Sequence, residues 1–255
     1  MIAAIRIVQR NALVYRRIWR ASVFSSFLQP TLFLFAIGWG LGAMMDRRAA
    51  LLPGGVTYLE FLAPGLLAAT AMQVSAFEST YPVLGKMKWH RNYEAITATP
   101  MGMADLVLGE LGWLALRLTT IAVAFVLVMT VFGIPRSPRV LLAIPAAVFT
   151  GLAFAAPIMA FSASRRHSNA FNVLFRFVIT PLFLFSGVFF PVSRMPDALA
   201  RAAWLTPLFH GVELVRGAVL EAVPGSWPIH VAFLAAMIAA GAAASVRTFR
   251  KKLYA

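Results

Sequence analysis

The chain has 255 residues, of which 60% are hydrophobic and only 13% are charged, whereas a soluble domain carries about 25% charged residues. Its formal net charge is +14, but the basic residues lie between apolar runs, which is typical of membrane proteins and disfavours nucleic-acid binding. Because the chain contains no cysteine, a disulfide framework and a thiolate metal site are excluded.

Stretches without charged residues predict an all-α integral membrane protein. They cover 21–45, 61–77, 118–135, 140–164, 177–193 and 222–246. A spanning helix needs about 20 residues, so the 17- and 18-residue stretches must each borrow a flanking charged residue. We therefore expect six transmembrane helices, near 23–45, 58–82, 105–132, 140–163, 170–190 and 228–247. Residues 1–22 predict an amphipathic helix at the cytoplasmic surface, ahead of one membrane domain over 23–255.

The distribution of basic residues predicts the orientation in the membrane. Fourteen lie in the two termini and in the loops that share their side, and seven lie on the other side. Because cytoplasmic loops carry the excess of Lys and Arg, both termini are expected in the cytoplasm. An even number of helices requires the same arrangement.

A basic, aromatic segment, GKMKWHRNYEAITATP at residues 85–100, lies between the second and third expected spans. Trp89, Tyr93 and Ile96 have the spacing of one helix face, and the pair Thr99-Pro100 ends the helix. Two interpretations stay open from these residues. The segment is either a helix in the lipid headgroup layer or a docking site for a cytoplasmic partner.

The chain lacks the motifs of a nucleotide-binding or hydrolytic site. It contains no G-x-x-x-x-G-K-[ST], H-E-x-x-H or G-x-S-x-G, and its four histidines are scattered. No carboxylate lies at the centre of a charge-free span, which disfavours an ion-coupled secondary transporter. Arg117, the deepest charge, is either a structural or interfacial arginine or part of a polar surface that meets substrate. We expect no catalytic residue and no metal site.

One run near the C-terminus, SGVFFPVSRMPDALARAAWLTPLFHGVELVRGAVL at 186–220, resembles the signature of permease subunits of type-2 ABC exporters. The matching residues are Gly187, Phe189, Phe190, Pro191, Pro196, Pro207, His210, Arg216 and Gly217. Residues 58–116 are similar to the subfamily of nodulation protein J, which exports lipo-oligosaccharides. That similarity rests on the Phe-Leu-Ala-Pro-Gly opening at 61–65, on Phe77-Glu78, on the Tyr-Glu-Ala at 93–95 and on Asp105-Leu-Val-Leu-Gly-Glu110. Gly38 and Gly42 add a small-residue patch suited to close helix contact.

The resemblance implies a role for each candidate residue. The loop at about 88–99 would be the coupling helix that docks on a separate ATPase. Its expected contacts are Trp89, Arg91, Tyr93, Glu94 and Ile96. The expected structural or gating residues are Gly38, Gly42, Glu78, Gly187, Pro191, Pro207 and Arg216, with re-entrant short helices between helices 5 and 6. The expected substrate path contains Phe77, Arg117, Phe175, Phe183 and Phe185.

The resemblance also implies partners and a function. The chain would be a non-enzymatic permease of the bacterial inner membrane, paired with a second copy of itself and with two ATPase subunits that bind ATP and Mg. No cofactor is expected in this chain, and membrane lipids are its other contacts. The implied function is export of a lipo-oligosaccharide, glycolipid or polysaccharide. Multidrug or antibiotic efflux, an ion-coupled secondary transporter and a non-transporting membrane scaffold remain the alternatives.

Overall fold

The structure, a computed structural model, is helical throughout the part of the chain that it describes. That part comprises residues 2–17, 19–36, 40, 55–89, 92–97, 99–135, 137–165, 167–222 and 224–253. The helices are α1 (Ile2–Tyr15), α2 (Trp19–Phe35), α3 (Tyr58–Glu78), α4 (Tyr81–Leu84), α5 (Asn92–Thr97), α6 (Met103–Val131), α7 (Ala143–Ser164), α8 (Asn169–Phe185), α9 (Asp197–Trp204), α10 (Pro207–Val219) and α11 (Trp227–Leu253). The shorter turns are π-helical at Gly85–Trp89 and Phe175–Ile179, the latter within α8, and 3₁₀ at Pro138–Leu142 and Val192–Arg194.

Four helical stretches are long and apolar enough to cross a membrane. They are Tyr58–Trp89, Met103–Val131, Pro138–Ser164 and Trp227–Leu253, at the places of the expected second, third, fourth and sixth spans. Helices α2 and α8, at the places of the first and fifth, fall short of that length. Residues 37–39 and 41–54 lie outside the described part of the chain, and with them Gly38 and Gly42. Two of the six spans, and the orientation of the termini, therefore stay predictions.

Helix α7 is the centre of the bundle, since α3, α6, α10 and α11 all pack against it. Small residues allow this close approach: a Cβ atom on Gly241 of α11 would lie only 2.5 Å from the backbone nitrogen of Pro157. At the same interface the Ser245 hydroxyl donates a hydrogen bond of 2.8 Å to the Ala156 carbonyl. Packing of small residues and hydrogen bonds between helices are what hold helices together where lipid removes the hydrophobic driving force.

Helix α1 packs along α6 instead of standing apart from the bundle. A Cβ atom on Gly109 of α6 would lie 2.7 Å from the Cβ of Ile7, so only glycine permits this contact. Ile7 is 2% exposed and its neighbour one turn later, Asn11, is also buried. Ile7 and Asn11 thereby fix α1 to the bundle, whereas Ile5, Leu13 and Val14 remain exposed.

Helices α9 and α10 fill the segment between α8 and α11. They have 8 and 13 residues, which is too short to cross a hydrocarbon layer of about 30 Å. Asp197 lies in the first turn of α9, directly after Pro196, and Thr206 caps α10 by accepting a hydrogen bond from the Phe209 amide. Helix α10 packs against α3 and α7, so this segment is part of the bundle.

Candidate functional site

The polar contacts of the chain concentrate at two ends of the bundle. We call the end that carries α1, residues 85–97 and the C-terminal part of α11 the basic end. We call the end that carries residues 186–226 the opposite end. The candidate site lies at the basic end and extends from there into the bundle.

A buried carboxylate, Glu110 of α6, organises the basic end. It is 5% exposed and receives the Lys86 ammonium at 2.6 Å, the Asn11 amide at 3.3 Å and the Arg10 guanidinium at 3.4 Å. These four residues, which we call the Glu110 cluster, join α1, the π-helical turn and α6. A charge removed from water needs such partners, because an unpaired buried carboxylate is costly.

The 85–97 segment divides its expected contacts between surface and interior. Trp89 is 68% exposed and Glu94 is exposed, whereas Ile96 is half-buried and Arg91 lies outside the described residues. Tyr93 is completely buried, and its ring lies 5.4 Å from that of Phe249 in α11. The helical spacing predicted that Trp89 and Tyr93 share one face of a helix. In the structure only Trp89 is exposed, so the two residues do not form a common exposed surface.

The phenol of Tyr93 is enclosed beside the Glu110 cluster. Burial, reinforced by the negative charge of Glu110, raises the pKa of Tyr93 well above its ordinary value, so the group stays neutral. Its hydroxyl lies close to the Glu110 carboxylate, but no contact among the described residues reaches the distance and angle of a hydrogen bond. The ring thus anchors the 85–97 segment to α11 by packing, and the hydroxyl adds little to that contact.

The second polar contact of the basic end is an ion pair between Glu78 of α3 and Arg117 of α6. Their closest N–O distance is 2.7 Å, so Arg117 pairs with Glu78 and not with Glu110, which precedes it on the same helix. The guanidinium also lies over the Tyr15 ring at 5.6 Å, and Tyr15 meets Trp113 edge to face at 5.6 Å. The arginine that the sequence left undecided is therefore a bridge between α1, α3 and α6.

Two cavities meet at this ion pair. The larger one, which we call the vestibule, has a volume of about 650 Å³ and is lined by α1, the 81–92 region and α6. The other, which we call the groove, has a volume of about 440 Å³ and lies between α3 and α8. Glu78 and Arg117 line both. The groove brings together four of the five residues expected on the substrate path, namely Phe77, Arg117, Phe175 and Phe183, whereas Phe185 is not among its lining residues.

At the opposite end, Arg216 of α10 joins three parts of the chain. Its guanidinium donates to the Gly187 carbonyl at 2.8 Å, donates to the Phe61 carbonyl at 3.4 Å and lies 3.9 Å from the centre of the Phe61 ring. Burial lowers the pKa of Arg216 to about 10, so the side chain remains charged at neutral pH. Gly187 has a φ of +82°, a conformation that favours glycine and turns its carbonyl toward the arginine.

The two prolines expected to be structural both lie in the segment that carries this arginine. Pro191 precedes the 3₁₀ turn Val192–Arg194, and Pro207 begins α10, where its missing N–H costs no hydrogen bond. Pro191 and Arg216 also line a cavity of about 480 Å³ at this end. The motif residues of the 186–220 run thus form one connected structure.

A buried histidine pair at the opposite end was not expected from the sequence. The Nδ1 atoms of His210 and His230 lie 2.7 Å apart, while the Nε2 atoms contact the Trp204 carbonyl at 2.9 Å and the Ser226 hydroxyl at 3.1 Å. A carbonyl can only accept, so neutral His210 donates from Nε2, and His230 donates from Nδ1 to His210. Only the reversal of the chain between α10 and α11 brings these two rings together, and within the described residues no group of three or more His, Asp or Glu could hold a metal ion.

Comparison with known proteins places these features in a family. Residues 3–220 match the ABC-2 type transporter family, and the chain belongs to it. The chain is 34% identical to nodulation protein J of Sinorhizobium fredii over 90% of this chain and 86% of that protein. It is also 34% identical to nodulation protein J of Bradyrhizobium diazoefficiens, over 96% of this chain and 92% of that protein. The protein is therefore a permease of an ABC transporter and a multi-pass protein of the bacterial inner membrane.

Proposed function

We propose that the protein is the permease subunit of an ATP-driven exporter that moves an amphipathic molecule out across the cytoplasmic membrane. The cargo class is a lipo-oligosaccharide, glycolipid or polysaccharide. The observation that carries this proposal is the 85–97 segment, which exposes Trp89 and is tied through Lys86 and Tyr93 to two spanning helices. The names of the relatives, nodulation protein J, support the choice of subfamily.

The proposed topology places the basic end in the cytoplasm. Helices α2 and α8 would supply the two further spans, giving six, and α9 and α10 would be re-entrant at the outer face. Residues 1–22 would form an interface helix ahead of a single membrane domain over 23–255. The excess of basic residues at this end supports the orientation, because cytoplasmic segments carry that excess.

The proposed assembly contains two copies of this chain and two copies of an ATPase subunit that binds ATP and Mg. In it, Trp89, Arg91, Glu94 and Ile96 meet the ATPase. Tyr93 takes another role than docking, because its ring lies inside the permease: it holds the coupling helix against α11. The chemistry of hydrolysis belongs to the partner subunit, and this chain contributes binding and motion.

The contacts of the coupling helix define how force would reach the membrane. A push on the 85–97 segment reaches α6 and α1 through the Glu110 cluster, and it reaches α11 through Tyr93 and Phe249. The Glu78–Arg117 pair connects the same helix α6 to α3, which forms one wall of the groove. Helices α3 and α8 would then separate or close on each other during the cycle.

The test is reconstitution of the permease with its ATPase in proteoliposomes. We expect the double variant Trp89→Ala with Glu94→Ala to weaken ATPase binding by about tenfold or more, because exposed aromatic residues dominate docking energies. Leu205→Ala is the matched control, since Leu205 is an exposed apolar residue at the opposite end. Export that needs no ATPase would instead identify a secondary transporter.

The cargo class is tested in the same vesicles. We expect a glycolipid to stimulate ATP hydrolysis more strongly than uncharged hydrophobic drugs at equal membrane concentration. The reverse order would identify a drug-efflux permease of the same family. Hydrolysis that no cargo changes, with no efflux, would favour the scaffold interpretation.

A further inference from the structure

We propose that the vestibule and the groove form one bipartite site, in which the vestibule binds the uncharged saccharide head group of the cargo and the groove receives its apolar chain. The Glu78–Arg117 pair marks the boundary between the two parts. This inference rests on the proposed function. It adds the place where the cargo binds, the direction in which the cargo lies, and the expectation that its head group is uncharged.

The vestibule has the size and the aromatic lining of a saccharide site. Its volume of about 650 Å³ falls within the roughly 300–1,000 Å³ of small-molecule sites. Tyr15, Tyr81, Trp89 and Trp113 all line it, together with the amide side chain of Asn92. Aromatic faces pack against the C–H faces of sugar rings, while amide and hydroxyl groups bond their hydroxyls, because Tyr and Trp combine an apolar face with a polar edge.

The electrostatics of the vestibule favour an uncharged ligand over an anionic one. The described cations that line it are already paired: Arg10 and Lys86 with Glu110, and Arg117 with Glu78. A phosphate would have to compete with two carboxylates for these cations. Sugar hydroxyls both donate and accept, so they can bond the outer edges of these ion pairs without breaking them.

The charged lining of the site ends at the ion pair. Beyond Glu78 and Arg117 the groove is lined by uncharged side chains, namely Phe77, Phe175, Phe183, Val74, Ile179, Thr70, Gln73 and Thr180. A smaller cavity of about 160 Å³ continues the path, because it shares Thr70, Gln73 and Phe183 with the groove. An amphiphile with its head in the vestibule can therefore pass its chain along the phenylalanines of the groove into the smaller cavity, where Phe33, Leu66 and Phe125 add an apolar lining.

The boundary itself has an unused donor. The Nε of Arg117 is buried and makes no hydrogen bond among the described residues. A buried donor of this kind is costly unless a ligand or water satisfies it. Because Glu78 pairs with another nitrogen of the guanidinium, a turn of the Arg117 side chain that exposes Nε would let a hydroxyl or ether oxygen at the junction of head group and chain accept from it.

The experiment measures binding to the permease alone, in phosphatidylcholine nanodiscs and without ATPase or ATP. The probe is tritiated dodecyl maltotrioside, and the competitors are maltotriose, dodecanol and dodecyl phosphate. We expect the trioside to bind, dodecanol and maltotriose each to compete weakly, and dodecyl phosphate to compete no better than dodecanol. Trp113→Ala should weaken trioside binding about tenfold, because it removes an aromatic face from the vestibule.

Matched variants separate the two halves of the site. Phe183→Ala should weaken dodecanol and the trioside by a similar factor, whereas Trp113→Ala should weaken only the trioside. Trp227→Ala serves as the control, because Trp227 is a half-exposed tryptophan at the start of α11, outside both cavities. Tighter binding of dodecyl phosphate that depends on Arg117 would overturn the assignment to an uncharged head group.

Two results distinguish this inference from the proposed function. Unchanged trioside binding in both Trp113→Ala and Phe183→Ala, while ATP-driven export persists in proteoliposomes, would overturn the bipartite site and leave the exporter intact. Trioside binding with the expected pattern, but export that ignores the ATPase, would overturn the proposed function and leave the site intact.

Discussion

The two ends of the bundle are held together by different chemistry. At the basic end, ion pairs join side chains from separate elements: Lys86 and Arg10 meet Glu110, and Arg117 meets Glu78. At the opposite end, Arg216 donates to backbone carbonyls and the two buried histidines bond each other as neutral rings. Side-chain ion pairs can separate and form again, whereas backbone carbonyls move only with their helices. The comparison indicates a basic end whose contacts can rearrange and an opposite end whose contacts are fixed.

The strongest way to break this comparison is to remove Arg216. Arg216→Ala leaves the carbonyls of Phe61 and Gly187 and the carboxylate of Glu213 without their partner. We expect a loss of about 3–5 kcal/mol of stability, read as a fall in the thermal unfolding midpoint of the purified protein. Arg216→Lys should recover only part, since one ammonium cannot reach all three acceptors.

The control for that substitution is Arg201→Ala. Arg201 lies on the neighbouring helix α9, is exposed and makes only a long hydrogen bond of 3.4 Å to the Asp197 carbonyl. It should unfold like the wild type. If Arg216→Ala unfolds at the same temperature as Arg201→Ala, the opposite end is not held by its arginine.

A double-mutant cycle sharpens the comparison at the basic end. Glu110→Gln and Lys86→Met should each destabilise the protein, and the double variant should lose less than their sum. The interaction free energy should fall within about 0.5–3 kcal/mol, because the two groups are 2.6 Å apart and the carboxylate is buried. Denaturant titration of the four proteins measures it.

The same substitutions should also weaken the coupling between ATP hydrolysis and cargo. ATP hydrolysis by the proposed complex should respond less to cargo in Glu110→Gln, since the 85–97 segment loses its charged link to α6. Arg139→Ala, an exposed residue that follows the third span, should combine additively with Glu110→Gln. If the changes in unfolding free energy of Glu110→Gln and Lys86→Met add up fully, the two side chains do not interact and cannot couple the 85–97 segment to α6.

Acid should affect the opposite end through its histidine pair. Burial and the neighbouring His230 ring lower the pKa of His210. The ring of the folded protein therefore takes up a proton only at a lower pH than the same ring in the unfolded chain. The stabilising contribution is therefore complete above about pH 6.5 and is lost as pH falls below it, by at most about 1.4 kcal/mol per pH unit. A protonated His210 would also direct an N–H at the N–H of His230.

The measurement is the unfolding midpoint between pH 7.5 and 5.5. His210→Gln should flatten that dependence, whereas His167→Gln should keep it, because His167 is exposed between α7 and α8. Equal slopes in both variants would assign the acid sensitivity to other groups.

The smallest expected effect is that of Tyr93→Phe. The hydroxyl of Tyr93 has no partner among the described residues, so its removal should change stability by about 0.5 kcal/mol or less, or raise it. Tyr93→Ala should cost about 3–5 kcal/mol, because it leaves a cavity against Phe249. Thermal unfolding of both variants tests whether packing, and not a hydrogen bond, fixes the 85–97 segment. A large loss in Tyr93→Phe would point to a bond with Glu110.

The sequence alone predicted which residues form apolar helices, since hydrophobicity over about 20 residues depends only on local composition. Three of the long helices begin at Tyr58, Met103 and Trp227, within two residues of the starts of the expected spans. The sequence also predicted membership of the type-2 ABC family, because the glycine, prolines and arginine of its signature lie close together in the 186–220 run. The family match confirmed this prediction.

The partners of the charged and aromatic side chains were decided only by tertiary structure. Helical periodicity placed Tyr93 beside Trp89, but the fold turned its ring inward onto Phe249, 156 positions away in the chain. Arg117 found Glu78 and not Glu110, and His210 met His230, because these contacts depend on how helices pack and not on spacing along one helix. Composition fixes what can enter the membrane, while packing fixes which charge meets which, since pairing energies act over a few ångströms that only the folded bundle sets.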